Sequence, residues 1–340
     1  MDLDSRHSLF ARGNEFLGTT YPIMGGAMTW LSERNLVSAI SNAGGFGIIA
    51  CGSMQSEQLG EEIEATQKMT NKPFGVNLIL LHPDIDDLIE CCVSKKVELV
   101  VFAGGFPKKR QIELLKSKGI KTMCFATTLS IAKKMILYGI DSLVLEGSEA
   151  GGHIGPVSIN VLIQDILPEI KEVPVFVAGG IGRGEIILKF LQLGASGCQI
   201  GTRFVCATES IAHENFKKIF IKSEARNAQV SVKLDERFPI IPVRAIENSA
   251  TKEFVNEQKK LLNLIDKKKI SLREAQLEIE HFWAGSLKNA VINGDIENGS
   301  LMAGQSVSMV KEIQPVTKIF SDLLTQIDKQ LISERRNHHA

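Results

Sequence analysis

Between residues 20 and 205, short apolar runs alternate with longer segments whose apolar positions recur every three or four residues. The short runs predict strands at 21–24, 45–50, 74–80, 98–103, 121–126, 141–147, 173–180 and 196–201. The segments between them predict amphipathic helices. Residues 36–45 set Leu36, Val37, Ala39, Ile40 and Ala43 on one face and stop at glycine, and 84–96 and 129–139 repeat the scheme. Eight such units at roughly 25-residue spacing predict an α/β fold, a parallel (β/α)8 TIM barrel, since open doubly wound sheets usually hold fewer strands.

After residue 221 the pattern changes. An irregular stretch with two prolines, "SVKLDERFPIIPVRAIEN", precedes polar-faced helical segments. These predict a small, mainly helical subdomain over 222–299, beside a barrel made of 14–221 and 300–335. Over 314–334, Val316, Ile319, Phe320, Leu323, Leu324, Ile327 and Leu331 form one apolar stripe behind Pro315, so this helix is expected to pack back onto the barrel. Whether the subdomain caps a pocket or forms a homodimer interface stays open.

Composition narrows the class. Lys plus Arg and Asp plus Glu are both 39 in 340 residues, so no basic excess points to nucleic acid. The apolar runs are far shorter than the roughly 20 residues of a membrane helix, and "MDLDSRHSLFARGNEF" lacks the apolar core of a signal peptide; a soluble, cytoplasmic protein with no membrane partner is expected. Six cysteines have no ligand-like spacing and read as buried apolar residues in a reducing compartment. His338 and His339 fall in a polar tail and receive no role, and no metal site is expected.

The chemistry gathers where strands end. In a barrel of this kind the loops after the C-terminal strand ends form the site. Gly179 and Gly180 follow the seventh predicted strand, and Gly201 and Thr202 the eighth. Bare backbone N–H groups there suit a phosphate, with a Thr202 hydroxyl beside them; the alternative is that the glycines merely turn the chain. The sixth strand runs into "EGSEAGGHIGPVS" (146–158), where glycines flank His153 and leave room for a flat ring to approach.

"EGSEAGGHIG", "VFVAGGIGRGE", "QIGTRFVCATESIAH" and "GDIENGSLMAGQS" together resemble the FMN-dependent nitronate monooxygenase family, formerly 2-nitropropane dioxygenases, which includes the flavin-type enoyl-acyl carrier protein reductases. The likeness runs from about Tyr21 to Met309. It implies FMN as cofactor, with Gly26, Ala27 and Met28 lining the isoalloxazine and Asn77 and Glu146 contacting the flavin. It further implies that Gly151 and Gly152 clear space for the ring, that Gly179, Gly180, Gly201 and Thr202 hold the phosphate, and that Met302, Ala303 and Gly304 close the site. His153 matches the family's active-site histidine.

The two branches then diverge. In the monooxygenase branch a nitronate gives an electron to FMN and oxygen completes its conversion to a carbonyl compound and nitrite. In the reductase branch NADH or NADPH reduces FMN, which reduces an enoyl thioester carried by acyl carrier protein. "GGHIG" and "GSLMAGQ" are closer to the reductases, whereas Pro156 with no basic residue after it departs from them. Nitronate oxidation is the leading reading, enoyl reduction the runner-up, and a non-redox phosphate-binding barrel enzyme the third.

The remaining residues have plainer readings. The charge run over 267–281 is a solvated helical face, and His213 and His281 are helix-surface or interface residues. Trp30 and Trp283 are packing residues. Arg203 divides evenly between a phosphate partner and a structural ion pair.

Overall fold

A computed structural model describes residues 3–236 and 240–338 of the chain. Twelve strands are present among them: β1 Ile23–Gly25, β2 Gly47–Ala50, β3 Phe74–Ile79, β4 Leu99–Ala103, β5 Lys121–Phe125, β6 Ser142–Glu146, β7 Gly152–His153, β8 Val175–Ala178, β9 Gly197–Ile200, β10 Ala228–Val230, β11 Val243–Ile246 and β12 Leu301–Met302. Eight of them form one parallel sheet in the order β1-β9-β8-β6-β5-β4-β3-β2. Gly25 N–H donates to the Phe46 carbonyl at 2.9 Å and Phe46 N–H to that of Ile23 at 3.0 Å, which closes the sheet on itself. The fold is the expected (β/α)8 barrel, and each predicted barrel strand is present within a few residues of its expected bounds.

Alternation along the strands builds two cores. Leu99, Val101, Met123, Val144, Phe176 and Ala178 point inward and fill the barrel with Met24, Phe46 and Ile48. Their neighbours Val100, Phe102, Leu143, Leu145, Val175 and Val177 point outward against the helices. Interior room is tight: a Cβ on Gly197 would stand 2.5 Å from the Phe176 ring. One end of this interior is plugged by a helix the sequence pattern did not predict, Leu3–Leu17, whose Phe16 ring lies 6.0 Å from that of Phe176.

The final helix, Val316–His338, packs onto the barrel as expected. Val316, Ile319, Phe320, Leu323 and Ile327 are buried in the outer core, and Asp328 pairs with Arg6 of the first helix at 2.8 Å. His339 lies outside the described residues. The segment between 222 and 299 holds the helices Ser249–Asp266 and Leu272–Val291, but also β10 and β11. In that second sheet β10 pairs one edge of β11, while β7 and β12 lie end to end along the other. A strand from the sixth barrel loop and one from the late segment are thus joined through the same neighbour.

All six cysteines are buried and unpaired. Burial pushes the Cys51, Cys124 and Cys206 thiols up to about 12, which keeps them protonated and inert. Phe320, 2% exposed, touches the rings of Tyr21 and Phe204 at centroid distances near 6 Å (6.0 and 5.9 Å). Phe320→Ala is expected to cost about 3–5 kcal/mol of unfolding free energy, read from urea denaturation; a loss below about 1 kcal/mol would mean the last helix does not brace the barrel.

Candidate active site

The inward alternation carries polar groups to the C-terminal rim. Gly75 and Asn77 share the inward phase of β3, Glu146 follows Val144 on β6, and Gln199 lies between the outward Cys198 and Ile200 on β9. Strand register sets Glu146 beside Ala178, Ala178 beside Gln199 and Gln199 beside Met24. The side chains of Asn77, Glu146 and Gln199 have no hydrogen-bond partner among the described residues. Burial pushes the Glu146 carboxyl up to about 8. Three polar groups on one rim with no internal partner form a surface that a polar ligand can satisfy.

Around them the glycines make close backbone contacts. Gly26 N–H donates to the Ile200 carbonyl at 2.8 Å, and a Cβ on Gly26 would lie 3.3 Å from the Gly201 Cα. Met28 covers Gly201, its Sδ 3.6 Å from where a Cβ would be, and Ala27 packs on the barrel interior. Gly179 and Gly180 have φ of +95° and +69°, a region glycine enters without strain, and Gly179 faces the backbone of Gly147 and Ala150. Gly201 precedes a helix of only four residues, Thr202–Val205, so the bare N–H groups contribute more here than a helix dipole.

The late segment seals this rim. Gly304 N–H donates to the Thr202 hydroxyl at 3.0 Å, and Gln305 N–H to the Glu149 carbonyl at 2.9 Å. A Cβ on Gly151 would stand 2.5 Å from Gly304 N and 2.6 Å from the Ala303 carbonyl carbon. Met302 Sδ is 3.6 Å from where a Gly152 Cβ would be, and Gly152 has φ +77°. Gly151, Gly152, Thr202, Met302, Ala303 and Gly304 therefore come together at one rim.

His153 ends β7 and pairs with Val243 of β11. Its Nε2 is buried and lies 3.2 Å from a carboxylate oxygen of Glu280, on the helix Leu272–Val291, at an angle that makes no hydrogen bond. The side chain remains 38% exposed, and with Nε2 buried Nδ1 is the ring nitrogen open to solvent. The solvated reading of 267–281 holds for Lys267, Lys268, Lys269, Arg273, Glu274 and Glu278, which are exposed, but Lys267 to Ile270 form a turn and Glu280 faces His153. Glu280 and Gln199 were missed; Gln199 could have been found by carrying the β9 alternation one residue further.

Arg203 donates to the neutral Gln314 side chain at 2.5 Å, a structural hydrogen bond in place of the expected ion pair. Trp283 is buried 4.3 Å from the Phe254 ring, and His213 caps the helix Glu214–Lys222. Trp30, in the loop after β1, has φ +68°, rare for a bulky residue, and its Nε1–H donates to the Ala284 carbonyl at 3.0 Å. No helix among the described residues is long and apolar enough to cross a membrane.

Fold and rim together define a (β/α)8 barrel enzyme whose site is built from the C-terminal strand ends and sealed by a late segment. The sequence profile described as nitronate monooxygenase matches residues 12–326, and the chain belongs to that enzyme family. A probable nitronate monooxygenase of Staphylococcus aureus is 26% identical over 363 residues, covering 94% of this chain and 97% of that one. The solved structure of FabK from Thermotoga maritima is 34% identical, with a TM-score of 0.85 over 96% of this chain and 98% of that one. A (3aS,4S,5R,7aS)-5-hydroxy-7a-methyl-1-oxo-octahydro-1H-indene-4-carboxyl-CoA dehydrogenase of Rhodococcus jostii is 33% identical over 221 residues, 65% of this chain. The match spans 62% of that relative's length.

Two consequences can be measured. Gly151→Ala should cost about 1–3 kcal/mol, because backbone atoms of the late segment cannot yield to a methyl group; unchanged thermal unfolding would show that the segment moves freely. The raised Glu146 carboxyl gives the ligand-free protein stability that is fully present below its unfolded value near 4.5 and is lost as pH rises through about 8. Glu146→Gln should flatten that dependence and leave the variant roughly 5 kcal/mol more stable than the parent above pH ~8. Parallel stability curves from pH ~5 to ~9 would remove Glu146 as the source.

Proposed function

We propose that this barrel is an FMN-dependent oxidoreductase that oxidises small nitronates to a carbonyl compound and nitrite, using oxygen. The observation that carries the reading is the rim itself: unpartnered Asn77, Glu146 and Gln199 beside backbone stripped of side chains, with His153 next to it. The residues fit the cofactor. Gly26, Ala27 and Met28 would lie along the flavin ring, with Asn77 and Glu146 at its polar edge. Gly179, Gly180, Gly201 and Thr202 would take the phosphate through backbone N–H groups and the threonine hydroxyl. Gly151 and Gly152 would leave room for the ring, and Met302, Ala303 and Gly304 would cover it. The barrel proper is then 14–221 with 300–335, and 222–299 supplies the cover.

When bound, FMN supplies the electron acceptor. The chain's own work is binding, orientation and proton handling. A carboxyl at about 8 is largely protonated at neutral pH, so Glu146 presents an O–H donor to a carbonyl or ring nitrogen. His153 Nδ1, open to solvent, orients the substrate's oxygens and takes the proton when a neutral nitro compound is presented. The guanidinium nearest His153 in strand register, Arg244, spends its Nε–H and Nη1–H on the carbonyls of Ser148 and Ala228. That leaves it ill placed to bind the phosphate of an acyl carrier, which supports a small substrate.

The likeness to FabK supports a second reading. In it NADH or NADPH donates the electrons and an enoyl thioester, presented by acyl carrier protein, accepts them. Anaerobic stopped-flow absorbance decides between the two. A one-electron change in the flavin's visible absorbance on mixing with an alkyl nitronate, short of full bleaching, and indifference to both pyridine nucleotides, is expected. Rapid bleaching by NADH or NADPH followed by reoxidation with an enoyl thioester would replace the nitronate reading with the reductase one. A colourless protein that takes up no FMN would end both. His153→Asn should retain its flavin and lose about 10²–10⁴-fold in turnover; unchanged turnover would remove His153 from the reaction.

A further inference from the structure

The helix Leu272–Val291 lies outside the barrel, yet it brings a carboxylate to the barrel's histidine. Both partners are held in place. β7 is paired to β11, and Ile154 N–H donates to the Pro242 carbonyl at 3.0 Å just beyond it. The helix is tied to the loop after β1 through Trp30, whose indole N–H bonds Ala284 and whose ring lies under Lys288 Nζ at 4.8 Å. Its buried Leu287, Ala290 and Val291 pack with Phe216, Phe220 and Ala303. The groups about the imidazole are few. Arg244 on β11 is turned to the Ser148 and Ala228 carbonyls, Met302 on β12 is apolar, and His281 is exposed. Glu280 is the anion within reach of Nε2.

We propose that Glu280 is a positioning residue for His153: its carboxylate accepts the Nε2–H, selects that tautomer, and leaves Nδ1 as the basic nitrogen at the mouth. The heavy-atom distance of 3.2 Å already allows the bond, and a small rotation of either side chain supplies the angle. A buried N–H without a partner costs free energy, and a carboxylate acceptor relieves it. The late helices then supply part of the reactive constellation as well as a cover. The proposal rests on the placing of His153 in the reaction, but the pairing can be tested without turnover.

The test uses flavin-loaded protein labelled with ¹⁵N-histidine at mildly alkaline pH, with the His153 signals assigned by their loss in His153→Asn. The wild type is expected to show the Nε2-protonated tautomer almost alone. Glu280→Gln, which can donate as well as accept, should give a mixture, and Glu280→Asp, one methylene shorter, an intermediate population. Flavin content should stay at the wild-type level, and kcat should fall by about 10–100-fold in Glu280→Gln with KM little changed. The same tautomer population in all three proteins would overturn the proposal. A shifted tautomer with unchanged turnover would uphold the pairing and overturn the catalytic reading of His153 instead.

Discussion

The mouth of this barrel depends on one contact that has no room for a methyl group, that of Gly151 with Ala303 and Gly304. Because Gly151 lacks a Cβ, the late segment lies directly against the loop after β6. Its backbone then reaches both Thr202 and Glu149. Those bonds tie the loops after β6 and β9 into one rim. His153 lies two residues beyond the contact, so its position follows from the same approach. A side chain at 151 would push apart the pieces that hold the imidazole and the pieces that hold the threonine.

Much of the fold was legible in the sequence because its elements are periodic and repeated. Eight apolar runs between amphipathic segments leave few architectures, and glycines at the strand ends mark where the backbone must come close. The illegible parts are those with no period. β7 and β12 have two residues each, too short for alternation to show, and they exist because β11 offers an edge to both. The first helix has a weak apolar face and is recruited by the barrel's open end, a tertiary reason that local pattern does not carry.

Glu280 shows the same limit at the level of chemistry. Within 267–281 it is one of many charges, and nothing in the run distinguishes it from its solvated neighbours. It is singled out by where the helix lands, which Trp30 and the buried Leu287, Ala290 and Val291 determine. Gln199 differs in kind: its inward phase follows from β9 alone, and only the lack of a nearby polar motif hid it.

The seal over the mouth comes from the last tenth or so of the chain, while the eight barrel strands are complete by Ile200. The elements that form the cup are thus made first, and the final helix that braces it and the segment that covers it are made last. In chain order the cup therefore precedes its cover, and the two are joined through Gly151, Thr202 and Glu149.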